Sequence, residues 1–269
     1  MNSETQPATV QQLLDMTGRV AIVTGGGTHL GRAMATSMAE LGAQVVVASR
    51  RQELLESEAK ILQDRGLAVE PYQCDVTDEN AVNRMVDATV DKHGQIDVMV
   101  CNAGGSKTTS YIPNAIIEEF RQTMDLNATS TYMCAQAAAR HMIPAHYGRI
   151  ITVASIHGSL TSNPAFYEGL NFRRSGPPYQ AAKAAIINLT RALASELGPH
   201  GITANCISPG QIPRPGNDPE MNERARKANA VGVIGTADDL KGAVALLASD
   251  AGKWITGLNL LVDGGWSIW

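Results

Sequence analysis

Short runs of β-branched and other apolar residues alternate along this chain with longer stretches in which apolar positions recur every three to four residues. The short runs cover 20–23, 45–47, 68–74, 98–101, 149–153, 203–208 and 259–262. Apolar runs of this length suit strands buried on both faces. The longer stretches cover 30–41, 52–65, 79–93, 116–142, 179–197 and 237–248, and their spacing predicts helices with one buried face. Strand and helix in alternation predict right-handed βαβ units. The expected fold class is therefore α/β: one doubly wound parallel sheet of about seven strands, with helices on both faces. The expected domain spans 17–269, after a lead-in at 1–16 whose first dozen residues are polar.

Two segments break the alternation, 158–178 and 209–230. Both are rich in Gly, Pro and Asn, and both follow strands. In doubly wound sheets ligands bind beyond the C-terminal strand ends, so long connections there predict function.

Composition narrows the classes. The chain has 269 residues, 44% of them hydrophobic, which is enough for a substantial core. A net charge of −4 argues against a broad nucleic-acid surface. No apolar run approaches the length of a membrane span, and the first residues do not read as a signal peptide. Cys74, Cys101, Cys134 and Cys206 form no Cys-x-x-Cys pair. They read as reduced thiols of a cytoplasmic protein without a metal site.

Candidate chemistry begins at Thr24-Gly25-Gly26-Gly27-Thr28-His29-Leu30-Gly31, directly after the first strand. Glycines let the backbone turn sharply and approach a pyrophosphate, and the following helix N-terminus favours an anion. The second strand ends at Ser49-Arg50-Arg51, where a site for NAD would carry a carboxylate. A guanidinium suits the 2′-phosphate of NADP(H), which is favoured over NAD(H). The alternative is that both arginines begin a solvated helix face. In Tyr179-Gln180-Ala181-Ala182-Lys183, a phenol and an ammonium lie one helical turn apart. An ammonium near a phenol lowers its pKa and suits it to proton exchange with an alcohol oxygen.

With Cys74-Asp75-Val76, Asn102-Ala103-Gly104, Asn127, Ser155, Ser208-Pro209-Gly210 and Val262-Asp263-Gly264-Gly265, these motifs resemble the short-chain dehydrogenase/reductase family, from about residue 17 onward. The resemblance implies a Rossmann domain in which Asn127, Ser155, Tyr179 and Lys183 are catalytic. Ser155 would bind the substrate oxygen, and Tyr179 would carry the proton. Lys183 would also hold the nicotinamide ribose, and Asn127 would bend its helix and hold a water-linked proton relay. It implies cofactor contacts from Gly25, Gly27, Thr28, His29, Leu30, Gly31, Ser49, Arg50, Arg51, Asp75, Val76, Asn102, Ala103, Gly104, Tyr179, Lys183, Pro209, Gly210 and Ile212. Two positions depart from the pattern. His29 replaces a glycine, so its ring should point away from the phosphates. Arg214 stands near a usual threonine and would face either substrate or solvent.

Between Ser155 and Tyr179 lie more residues than in many members. The extra loop and the tail Gly264-Gly265-Trp266-Ser267-Ile268-Trp269 resemble the gluconate and sugar-acid dehydrogenase branch. Tyr167, inside the loop, has no lysine four residues on. The expected function is NADP(H)-dependent interconversion of a ketone and a secondary alcohol on a small polar substrate, a sugar acid or polyol. Arg173, Arg174 and Arg214 are the groups expected to meet an acid. The alternatives are a 3-oxoacyl thioester reductase and, in another class, a non-enzymatic cofactor-sensing or assembly protein. Small residues at 135–139 and 181–185 suit close helix pairing or packing on the chain's own sheet, and the resemblance implies pairing of these helices in a homotetramer, with a dimer as fallback.

Overall fold

In the computed structural model, residues 7–106, 108, 110–170 and 174–269 are described. Seven strands form one parallel sheet: β1 Val20–Thr24, β2 Gln44–Ser49, β3 Val69–Gln73, β4 Val98–Cys101, β5 Gly148–Val153, β6 Ile202–Pro209 and β7 Asn259–Val262. Their spatial order is β3-β2-β1-β4-β5-β6-β7. Strand order reverses between β1 and β4, whose pairing aligns Val23 with Val100. A crevice at the C-terminal strand ends is the expected result of that reversal.

Alternation along the strands feeds two cores. Ala21, Val23, Val45, Val47 and Val100 pack on one face with Met34 and Met38 of α2 (His29–Glu40) and Leu55 of α3 (Gln52–Gln63). Ile22, Val46, Met99 and Ile150 pack on the other, with Met85 of α4 (Glu79–His93) and Met142. Both faces of the sheet are thus covered, as the apolar runs predict.

The helical expectations need three corrections. A helix expected without a break over 116–142 is divided into α5 (Ile117–Met124), a π turn over Asp125–Thr129, and α6 (Ser130–Ala145). The segment at 237–248 begins as a 3-10 turn before α9 (Lys241–Ala248). Inside 209–230 the chain forms α8, Pro219–Ala228. Its N-cap Asp218 accepts from the Glu220 amide, and Pro219 occupies the first turn, where no amide hydrogen is needed. A short helix, α1 (Val10–Leu14), precedes the sheet. Among the described residues, no helix is long and apolar enough to cross a membrane.

Ala135, Ala137 and Ala138 of α6 are buried against this chain's own sheet. They are the small residues that let α6 approach it. On α7 (Pro177–Leu197), Ala182 is buried while Ala181 and Ala184 stay exposed.

The loop from Ser155 to Tyr179 is fastened from outside. Phe166 and Trp266 meet edge to face with ring centres 5.0 Å apart. From α8, Arg224 donates to the Phe166 and Glu168 carbonyls, both at 2.8 Å.

Candidate active site

β1 delivers Thr24 to the crevice. Its hydroxyl donates to Val100 O at 3.2 Å and accepts from the Asn102 and Ala103 amides at 3.0 and 3.1 Å. The Asn102 side-chain amide donates to Thr24 O and Gly25 O at 2.9 and 3.2 Å. The glycine turn is thereby tied to the end of β4. Gly25 has φ +65°, and a Cβ there would stand 2.8 Å from Asn102 Nδ2. A Cβ on Gly31 would collide with Gly25 O, so both glycines are sterically required.

His29 has φ +50°, which explains why glycine is the usual occupant of its position. Its ring Nε2 meets Pro213 O at 3.1 Å. Burial lowers its pKa, so the imidazole is neutral at neutral pH.

Thr28 precedes α2 in extended conformation and makes no side-chain cap. The helix N-terminus therefore faces a cleft of about 420 Å³ without a side-chain cap. Gly25, Gly27, Thr28, His29, Leu30 and Gly31 form one end of this cleft. Ser49, Arg50 and Arg51 form a second side, and Val76 lies beyond them. Both arginines are exposed, with no ion pair among the described residues. Asn102, Ala103 and Gly104 line the floor, and Tyr179 and Lys183 close the far end.

Some expected contacts lie elsewhere. Asp75 does not line the cleft; its carboxylate accepts from the amide and hydroxyl of Thr77 at 3.0 and 2.8 Å. Cys74 and Val76 on either side form the wall. Pro209 ends β6 beside Val262, and Gly210 and Ile212 line a separate cavity of about 210 Å³. Leu54, Leu126 and Arg214 line the main cleft without having been singled out as cofactor contacts. Leu54 looks like any apolar position on α3, and only the folded chain shows which way it faces.

The candidate catalytic residues meet where β5, the π turn and α7 converge. Lys183 is 4% exposed, and its Nζ donates to Val153 O at 2.8 Å. Nζ lies 5.5 Å from the Tyr179 ring centre. Ser155, at the end of β5, hydrogen-bonds Tyr179 and also accepts from the His157 amide at 3.1 Å. Asn127 is fully buried in the π turn. Its side-chain amide donates to Gly105 O and Thr123 O, both at 2.8 Å, and Oδ1 accepts from the Gly105 amide at 3.1 Å. A Cβ on Gly104 would stand 2.5 Å from Asn127 Oδ1 and 3.2 Å from Lys183 Nζ. The glycine lets these two groups approach the cleft floor together.

Protonation differs from the expectation for this pair. Burial raises the Tyr179 phenol above its usual value, with the Ser155 hydrogen bond pulling the other way. Burial lowers the Lys183 ammonium to about 8. Desolvation dominates, and the tyrosine keeps its proton at neutral pH. Tyr167 is buried in the loop, held by Ser162 and Gln211, and does not line the cleft. The Arg174 guanidinium lies 4.5 Å over the Tyr111 ring. Arg173 lies outside the described residues.

The cleft suits a dinucleotide on its own features: a glycine floor without Cβ atoms, a helix N-terminus without a side-chain cap, and arginines that have no ion pair among the described residues. Among the described residues, no group of three or more His, Cys, Asp or Glu is placed to hold a metal ion.

The buried lysine has a consequence for stability. Unfolded, it keeps its proton to about 10.5; folded, it gives it up near 8. Between those values the unfolded chain binds a proton that the native chain lacks. The contribution of this group therefore rises with pH through the window and is lost as pH falls toward 8. Urea midpoints taken from pH 8 to 10 should show a component of that sign, which Lys183→Met removes. An identical pH slope in the variant would refute the assignment.

Residues 27–267 match the family described as enoyl-(acyl carrier protein) reductase. The chain is 38% identical over 259 residues to (+)-borneol dehydrogenase 1 of Salvia officinalis, covering 93% of this chain and 94% of that one. Its fold is similar to that of an NADPH-dependent 3-quinuclidinone reductase from Rhodotorula rubra, with TM-score 0.88, 30% identity, and 100% and 98% of the two chains covered. It is also similar to a gluconate 5-dehydrogenase from Burkholderia cenocepacia in complex with NADP and tartrate, with TM-score 0.87, 29% identity, and 97% and 100% covered. The chain belongs to the short-chain dehydrogenase/reductase family and is an oxidoreductase of alcohols and ketones.

Proposed function

We propose that the chain is an NADP(H)-dependent enzyme that interconverts a ketone and a secondary alcohol through Ser155, Tyr179 and Lys183. The observation that carries this reading is the junction of a buried Lys183, a protonated Tyr179 and Ser155 at one end of a glycine-floored cleft. A bound nicotinamide nucleotide supplies or accepts the hydride. The Ser155 hydroxyl donates to the substrate oxygen as negative charge develops there. The Tyr179 hydroxyl gives that oxygen its proton in reduction and takes it back in oxidation. The Lys183 ammonium favours the phenolate left behind, and ribose hydroxyls would offer it acceptors besides Val153 O. Asn127 acts as a positioning residue, clamping Gly105 and holding the floor beside Lys183. Asp75, Pro209, Gly210 and Ile212 support the walls from outside the cleft.

NADP(H) preference rests on Arg50 and Arg51, unpaired and exposed beside Ser49. A sugar acid or polyol keeps the support of the likeness to gluconate 5-dehydrogenase. Of the two described arginines expected to meet an acid, Arg174 lies against Tyr111 and outside the cleft lining, and Arg214 lines the cleft that also holds the glycine turn. That observation favours a second reading, a compact neutral cyclic alcohol, as the likeness to borneol dehydrogenase also suggests.

Two apolar exposures support a tetramer with two kinds of isologous contact. One is Ile116, Ile117 and Phe120 at α5; the other is Trp254, Leu261 and Trp269 around β7. Light scattering should give the mass of four chains, and a single-chain mass at micromolar concentration excludes this assembly.

Tyr179→Phe should lower kcat about a hundredfold or more while nucleotide affinity holds. Turnover retained in that variant removes the proposed chemistry. Ser49→Asp combined with Arg50→Ala should reverse the preference from NADPH to NADH. Tighter binding of NADH than NADPH by the unaltered protein contradicts the cofactor assignment. A panel pairing camphor and borneol with gluconate then decides between the substrate readings by kcat/KM.

A further inference from the structure

Arg214 and His29, the two departures from the family pattern, meet at one place. Arg214 lines the same cleft as Gly25, Gly27, Thr28 and Gly31, although its segment follows β6. It is exposed and has no ion pair among the described residues. Its backbone is fixed on both sides. The Pro213 carbonyl is held by His29 Nε2 at 3.1 Å. The Arg214 carbonyl accepts from the Asn217 amide at 3.2 Å, closing a turn through Gly216, whose φ is +82°.

The charges around the turn are unequal. Arg32, on the first turn of α2, is paired with Glu58 at 2.7 Å. Arg214 is left as the cation beside the glycine turn without a carboxylate partner. Arg50 and Arg51 belong to the other side of the cleft, at the end of β2. A threonine hydroxyl can donate one hydrogen bond, whereas a guanidinium offers a planar fork suited to two phosphate oxygens.

We infer that Arg214 clamps the diphosphate of the bound dinucleotide against the glycine turn, and that the His29–Pro213 hydrogen bond positions it there. The inference rests on the cleft being a dinucleotide site. It gives the chain a phosphate contact shared by NADPH and NADH, separate from the 2′-phosphate contact at Arg50. It also gives the left-handed His29 a purpose that glycine cannot serve, because only a side chain reaches Pro213.

Calorimetric binding to the whole protein tests this without turnover. The probes are NADPH, NADH, ADP-ribose and AMP, of which only AMP lacks a diphosphate. Arg214→Ala should weaken the first three by about tenfold each, the loss of one charge-assisted contact, and leave AMP unchanged. His29→Gly relieves the left-handed strain and should weaken the same three. In the Arg214→Ala background it should add little, because the two residues act as one unit. Loss confined to NADPH, equal loss for AMP, or no loss overturns the clamp. Equal effects of His29→Gly in both backgrounds overturn its positioning role. Unaltered protein that binds neither NADPH nor NADH refutes the dinucleotide reading itself, and the clamp with it.

Discussion

The Thr24 hydroxyl is the interaction on which the site depends. It stands where the sheet changes direction, and there β1 and β4 must separate above their last paired residues. One oxygen donates to Val100 O and receives the amides of Asn102 and Ala103. The Asn102 amide also reaches Val100 O at 3.1 Å, whereas the Ala103 amide depends on Thr24, and an unpaired buried amide would cost about 1–3 kcal/mol. Asn102 extends the same stitching to Thr24 O and Gly25 O. The glycine turn, the floor at 102–105 and the Asn127 clamp are then positioned from one corner.

At the other end of the cleft, burial governs the chemistry. The sheet and α7 enclose Lys183 and the phenol, and each is pushed toward its neutral form. A lysine on a solvated helix would stay charged far into the alkaline range. Here its ammonium has the Val153 carbonyl as acceptor and is otherwise desolvated. The protonation of Tyr179 and Lys183 is therefore set by the depth of β5 and α7, as well as by residue type.

Much of this was legible in the sequence, for identifiable reasons. Buried parallel strands read as apolar runs, so 149–153 anticipates β5 at Gly148–Val153. Tyr179 and Lys183 share a helix, so a spacing of four sufficed to pair them. The direction of the Tyr179 shift is not legible, because sequence shows the neighbouring lysine and hides the desolvation. Periodicity does not reveal the π turn, because Asp125-Leu126-Asn127-Ala128-Thr129 keeps a helical pattern, and only the family resemblance implies a bend at Asn127. The turn coincides with the tertiary bond from Asn127 to Gly105. Prolines concealed α8, since Pro219 reads as a breaker but starts the helix. The inward alanines of α6 were ambiguous because small residues serve a sheet or a partner helix equally well.

The hydrogen bond between His29 and Pro213 joins positions 184 residues apart in the chain. Loops of that length close late, because their entropy must be offset by contacts that already exist. The first four strands can order the glycine turn, but the cleft lacks its opposite rim until β6 has docked and the following loop has returned. A nascent chain that has made only its N-terminal half thus lacks the complete site. Nucleotide held across that rim favours the finished topology over any partly folded one by mass action. The same span makes the cofactor a measure of whether the whole sheet has closed.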